Sequence, residues 1–189
     1  MTVTSASTLF VPICYRGIML NITTTIAEVV GKRLAATYRH YYGDQEAQFA
    51  RLLDASARLI IERISTSDAL YHNVEHTIFV TLVGEDILRG RLLQQPVNAS
   101  DWLHFMFALL CHDIGYVRGV CSGDEAHSVV VDESGERLQL PRGASDASLT
   151  PYHVTRGKDI CLGEVGKKQR FRWGPDSPRD RVDAVSCAK

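Results

Sequence analysis

The sequence predicts an all-α helical bundle carrying one small β-hairpin. Three observations predict it. Apolar residues recur at helical spacing in several long segments, and Gly, Pro and Asn interrupt that spacing between them. Alternation of period two is confined to the stretch from His127 to Leu140.

The first segment has N-cap candidates at Thr23 to Thr25, then Ile26, Val29, Val30, Leu34 and Tyr38 on one face until Gly43 stops the run. After Asp44 a second face is marked by Phe49, Leu52, Leu53, Ala57, Ile60, Ile61 and Ile64. Arg51, Arg58, Glu62 and Arg63 sit largely off it, and the helix ends near Ser65. A third helix is expected from about Val74 to Leu93. Its apolar residues Ile78, Val80, Leu82, Val83, Ile87 and Leu88 are too evenly spread for one stripe, which predicts a central, heavily buried position. Pro96 and Asn98 break it. Ser100 or Asp101 is the expected cap of a fourth helix, whose body WLHFMFALLC runs into His112-Asp113, with Gly115 closing it. SVVV and RLQL flank the turn-like ESGE as a hairpin, and Thr150 with Pro151 are the N-cap and N1 expected of a fifth helix.

A chain of 189 residues with 45% hydrophobic content supports one core. The expected organisation is a disordered leader over 1–20, in which Met19 is a candidate start, one domain over 21–158, and an atypical tail over 159–189. The charges balance, 21 Lys+Arg against 22 Asp+Glu, so no overall field attracts nucleic acid or an anionic membrane, and a small diffusible substrate fits better. The five cysteines are odd in number, dispersed and without a CxxC pair, which excludes a disulfide framework and a Cys-based zinc site and points to a reducing cytoplasm. No apolar run approaches the roughly 18 residues of a membrane span. Pro12 and Arg16 interrupt the leader, so no signal peptide is expected. Oligomeric state is not specified.

The chemistry concentrates in YHNVEH and CHDIGY. His72 and His76, four apart at the head of the third helix, are expected on one side of it, one turn above the other. His112 and Asp113 fall where the fourth helix ends, so neighbouring side chains can turn toward one ion. Imidazole and carboxylate together suit zinc, iron or manganese. Asp113 follows FMFALLC directly, and a carboxylate that close to a buried region is costly without a compensating cation.

YHNVEHT followed by LLCHDIGY resembles the H…HD pattern of the HD superfamily of metal-dependent phosphohydrolases, and the Tyr-His-Asn-x-x-His form resembles that of the class I cyclic nucleotide phosphodiesterases. The likeness extends from about Tyr41 through YVRGVCSGD to LTPYHVTRGK, and is similar to small bacterial, notably cyanobacterial, HD proteins. It implies an HD-domain helical bundle. It further implies His72 as the proton donor to a leaving alcohol, His76 as a metal ligand, and His112 and Asp113 as ligands, with Asp113 bridging where two ions bind. One or two divalent ions (Zn, Mn, Fe or Mg) and a small phosphorylated substrate, nucleotide-like, would follow from the same resemblance.

Among the other candidates, His153 is an additional metal or phosphate contact or a surface histidine, and His104 is expected as a hydrogen-bonded core residue. Arg118 and Asp124 lie in a Gly-rich loop that is either part of the site or a solvated connection. His40 and His127 carry no signal, and Trp102, Phe105 and Phe107 are expected in the core. The family pattern needs one more carboxylate from a later helix. The Gly-, Arg- and Pro-rich sequence after Lys158 has no apolar period, as a frameshift after that codon would produce; a shifted frame can spell a helix ending IELTRFPVP. Two rivals remain open: a catalytically inert HD module that binds a nucleotide or a partner, and an HD-type di-iron oxygenase, which would need both His127 and His153 on the metal.

Overall fold

Four helices form before residue 112, three of them started by a side chain that accepts from a free backbone N–H group of the first turn. In the computed structural model, which describes residues 21–158, these are α1 (Ile22–Tyr42), α2 (Ala47–Ile64), α3 (Val74–Leu92) and α4 (Ala99–Cys111). The leader and tail expected over 1–20 and 159–189, with the shifted frame, lie outside the described residues. Asparagine is the recurrent cap. Asn21 accepts from Thr24 N at 3.2 Å, Asn73 from His76 N at 3.0 Å and Asn98 from Asp101 N at 2.7 Å. The caps expected at Thr23 to Thr25 and at Ser100 or Asp101 therefore fall two to four residues late, inside the first turns. Among the described residues no helix is long and apolar enough to cross a membrane.

α1 and α2 form a helical hairpin closed by Gly43, whose φ of 58° favours glycine. Ala27, Val30, Leu34 and Tyr38 of α1 meet Phe49, Leu53, Ala57, Ile60, Ile61 and Ile64 of α2 in the core, together with Trp102, Met106 and Leu110 of α4. Gly31 allows the two backbones to approach, since a Cβ there would stand 2.8 Å from the carbonyl oxygen of Asp54.

α3 is not the central, heavily buried helix its even apolar spread predicts. It buries Thr77, Thr81 and Glu85 and leaves Phe79, Val83 and Ile87 exposed. Its inward polar residues are satisfied one by one. The Thr77 and Thr81 hydroxyls donate to the carbonyls of Asn73 and Thr77, at 3.1 and 2.8 Å, and Glu85 accepts from Arg33 Nε at 3.1 Å and from the Thr37 hydroxyl. Beside Glu85 a cleft of about 300 Å³ opens between α1 and α3, lined by Arg33, Thr37, His40, Tyr41 and Arg89. Phe105, expected in the core, is partly exposed, whereas Trp102 is buried.

Beyond α4 the chain makes a 3-10 turn, Ile114–Tyr116, then the antiparallel hairpin β1 (Ser128–Val130) and β2 (Arg137–Gln139), with Val129 opposite Leu138. The hairpin falls where SVVV and RLQL predict it. It closes a second small core of Tyr116, Val129, Val131, Leu140 and Leu149. After a 3-10 turn at Asp146–Leu149, residues 151–152 turn and 153–158 are helical, so Thr150 and Pro151 precede the fifth helix rather than starting it. The all-α class with one small hairpin therefore holds.

Candidate metal centre

The local sequence YHN sets the first half of the site. Because Asn73 is the N-cap, His72 stands outside α3 in the preceding loop and His76 sits in the first turn. The two histidines converge from loop and helix, not from one helical face as their spacing predicts. The second half comes from the end of α4. His112 is its C-cap, and Asp113, at φ −106° and ψ 2°, has left helical geometry, which turns its carboxylate back beside the imidazole of its neighbour.

Three imidazoles meet one carboxylate oxygen. Asp113 Oδ2 lies 2.9 Å from His72 Nδ1, 3.4 Å from His76 Nε2 and 3.0 Å from His112 Nε2. His112 Nε2 is in turn 3.3 Å from His76 Nε2. Asp113 is only 3% exposed, while the three imidazoles are each partly open to solvent. All four residues expected at the site are thus brought together.

The electrostatics follow from one tautomer. His112 Nδ1 lies 2.7 Å from the Leu109 carbonyl oxygen and must donate to it, so in the neutral ring Nε2 carries a lone pair. That lone pair faces the Asp113 carboxylate and the Nε2 of His76. The arrangement is repulsive unless a positive charge, a proton or a metal ion, stands among them. In the protein without metal the hydrogen bond to Asp113 raises the His112 pKa above its ordinary value against the opposing effect of burial, which favours a proton in this place. Burial pushes the Asp113 carboxyl up, but the hydrogen bonds from His112 and His72 outweigh it and the carboxyl sits below its usual value.

The donors also fit a metal ion. Tetrahedral coordination at the ~2.0–2.1 Å of Zn–N and Zn–O bonds puts ligand atoms about 3.3 Å apart, and the His76, His112 and Asp113 atoms are 3.0 to 3.4 Å from one another. The His112 Nδ1 to carbonyl hydrogen bond is the usual outer support of a metal-bound imidazole. His72, His76 and Asp113 also bring one ligand atom each within 4.8 Å of one another, and Asp113 is the one carboxylate of that group among the described residues.

Tyr116 was not singled out by sequence and organises one wall. Its ring stacks on His72 at 4.0 Å and on His153 at 4.5 Å, with interplanar angles of 17° and 19°. His153 is therefore beside the site but one ring removed from the metal donors, 6.3 Å from His72 between centroids, with its Nδ1 2.7 Å from the Thr150 carbonyl oxygen. His127 is exposed at the hairpin. His104 is half-buried beside the Ser100 hydroxyl, and burial lowers its pKa.

Arg118 and Asp124 are neither site residues nor solvated connections. Arg118 pairs with Asp68 and Asp146. Asp124 pairs with Arg156, both side chains being fully buried, and accepts from the N–H groups of Gly119 and Val130 at 2.9 Å each. Arg156 also donates to the carbonyls of Gly115, Val117 and Val130, at 2.7 and 2.9 Å for the first two. This hub ties the loop after Asp113 to the helix that carries His153. A Cβ on Gly115 would stand 1.9 Å from the His153 carbonyl oxygen, so glycine is required where the two segments touch. A lone Arg one turn after a His gives no sequence signal of such a role.

The sequence model of the family described as Npun_R2479-like matches residues 20–171, which extends past Lys158. No curated protein and no solved structure matches the chain.

Proposed function

The chain belongs to the Npun_R2479-like family, and we propose that it is an HD-type metal-dependent phosphohydrolase acting on a small phosphomonoester or phosphodiester, nucleotide-like in kind, in the cytoplasm. The observation that carries this reading is the convergence of His72, His76 and His112 on Asp113 Oδ2, with the Leu109 carbonyl fixing a His112 tautomer whose Nε2 lone pair faces that carboxylate. His76, His112 and Asp113 would hold the ion. A bound divalent cation supplies Lewis acidity and a water acidified toward neutral pH.

His72 has the proton work. Its Nδ1 is engaged by Asp113, which orients the ring and leaves Nε2 to deliver a proton to the leaving oxygen as the P–O bond breaks. The stack on Tyr116 holds that ring in plane. His153, stacked on Tyr116 at 4.5 Å, would contact the phosphate or the substrate body rather than the ion. The balanced charge of the chain accords with a small substrate and not with nucleic acid.

The test is metal content of the purified full chain by elemental analysis, paired with a panel of phosphomonoesters and phosphodiesters. One or two transition-metal ions per chain, lost in His76→Ala, together with hydrolysis (inorganic phosphate from a monoester, a monoester and an alcohol from a diester) that is lost in His72→Gln at unchanged metal content, are the expected results. Absence of both metal and hydrolysis overturns the proposal. A second reading is favoured by the single carboxylate among the described site residues: a non-catalytic module that binds metal and nucleotide without turnover, which the same assays would report as metal bound and no phosphate released.

A further inference from the structure

α3 buries Leu88 and packs Val74, Ile78 and Leu92 against the core, yet turns three apolar side chains outward. Phe79 is 68% exposed, Val83 42% and Ile87 58%, and Phe105 of α4 adds a fourth partly open ring at 37%. The orientation is fixed from within, because Glu85 on the inner side is held by Arg33 and Thr37 of α1 and Leu88 lies in the core. Rotating the helix to hide the apolar ridge would strand Glu85 and expose Leu88. The ridge is therefore a permanent feature of the folded chain.

Its sequence is self-complementary. The exposed residues Glu75, Phe79, Val83, Ile87 and Arg91 follow one another at four-residue steps, the spacing of a helix ridge that packs into the groove of a second helix. Read about Val83, Phe79 mirrors Ile87 and the anionic Glu75 mirrors the cationic Arg91. We propose that this ridge is a two-fold interface between two copies of the chain, α3 against α3 and antiparallel about Val83. A two-fold axis there brings Phe79 of each copy to Ile87 of the other and places Glu75 near Arg91 at both rims, the arrangement an isologous interface requires. The four exposed apolar side chains present roughly 400 Å² per copy, so the pair covers about 800 Å² before its polar rim is counted, approaching the ~1,000 Å² at which specific interfaces begin. This inference does not depend on the chemistry at the histidine cluster.

The experiment is sedimentation velocity on the full chain from low to high micromolar concentration, comparing wild type with Val83→Glu, Glu75→Arg, Arg91→Glu and the double exchange. The wild type is expected to dimerise, and Val83→Glu, which sets two like charges on the axis, to be monomeric with an unchanged far-UV spectrum. Each single exchange should weaken the dimer several-fold, and the double exchange should recover it, because only a second copy reverses both charges at once. A wild type that stays monomeric overturns the proposal, as does a dimer indifferent to Val83→Glu or single exchanges that the double variant does not rescue. If Val83→Glu alters the spectrum, the exposed charge exchanges decide the question.

Discussion

Replacing Asp124 by Ala should cost the fold about 4 kcal/mol. The substitution leaves the fully buried Arg156 guanidinium with no counter-charge, and breaking one side of a buried pair typically costs ~3–5 kcal/mol. Two terms adjust that range in opposite directions. Val130 N loses its acceptor at 2.9 Å in a part-buried position, which adds to the cost, whereas Arg156 keeps the carbonyls of Gly115 and Val117, which moderates it. Since 1 kcal/mol moves Tm by ~2–4 °C for a domain of this size, a drop of roughly 8–16 °C is expected. Urea denaturation at neutral pH gives the free energy directly. The pH dependence has a definite sign. Burial alone would push the Asp124 carboxyl up, but the Arg156 hydrogen bond and those from Val130 and Gly119 outweigh it, so its folded pKa is lowered. Its contribution is then fully present above the unfolded carboxyl's value of ~3.9 and is lost as pH falls through the lower folded value. The gap between wild type and variant should close in acid. Replacing both partners by apolar residues, Asp124→Leu with Arg156→Met, should cost less than Asp124→Ala alone, because no charge is left stranded. A loss under ~1 kcal/mol, or a gap that persists in strong acid, would refute the account of Asp124 and Arg156 as a buried hub.

Three further outcomes are expected. Gly115→Ala forces a Cβ against the His153 carbonyl and should cost about 2–3 kcal/mol by thermal unfolding; a melting point unchanged from wild type would show that the two segments separate freely. His72→Gln should lower any phosphoester hydrolysis by ~10²–10⁴-fold with the ion retained, since it removes a proton donor and not one of the ligands; equal loss of metal and activity would place His72 among the ligands instead. Asp113→Asn should abolish metal retention on elemental analysis, because it removes the one carboxylate of the described cluster, and retention at wild-type level would move the ion elsewhere.

The sequence was most legible where one side chain acts on its near neighbours. The apolar faces of α1 and α2, the hairpin around ESGE and the pairing of His112 with Asp113 are all written within a few residues. The four candidate residues stand out because imidazole and carboxylate are conspicuous, yet the reason His72 comes beside Asp113 is not their spacing: Asn73 caps α3 and leaves His72 in the loop, a one-residue matter that spacing alone does not decide. α3 was misjudged because an apolar count takes no notice of Thr77 and Thr81, which bond to carbonyls four residues back, or of Glu85, whose partners Arg33 and Thr37 lie some fifty residues away. Arg156 and Tyr116 were illegible for the same reason. Their contacts join loop, hairpin and final helix, and no local pattern encodes them.

The cluster's own electrostatics lead to a final expectation. Three neutral imidazoles and one carboxylate carry a net charge of −1, and the pinned His112 tautomer requires that a positive charge sit between Nε2 and Asp113. A proton and a metal ion answer the same requirement and therefore exclude each other. Because the metal-free His112 pKa is raised, the proton's stabilising contribution is fully present below the unfolded imidazole value of ~6.5 and is lost as pH rises through the folded value. Removing the ion with a chelator should thus destabilise the protein little in mild acid, where a proton replaces it, and more above neutrality, where nothing does. Melting temperatures measured with and without chelator across pH 5.5 to 8.5 read this as a difference that widens with pH. A constant difference would mean that His112 and the ion do not compete, and the argument from the His112 tautomer to a metal centre would fall with it.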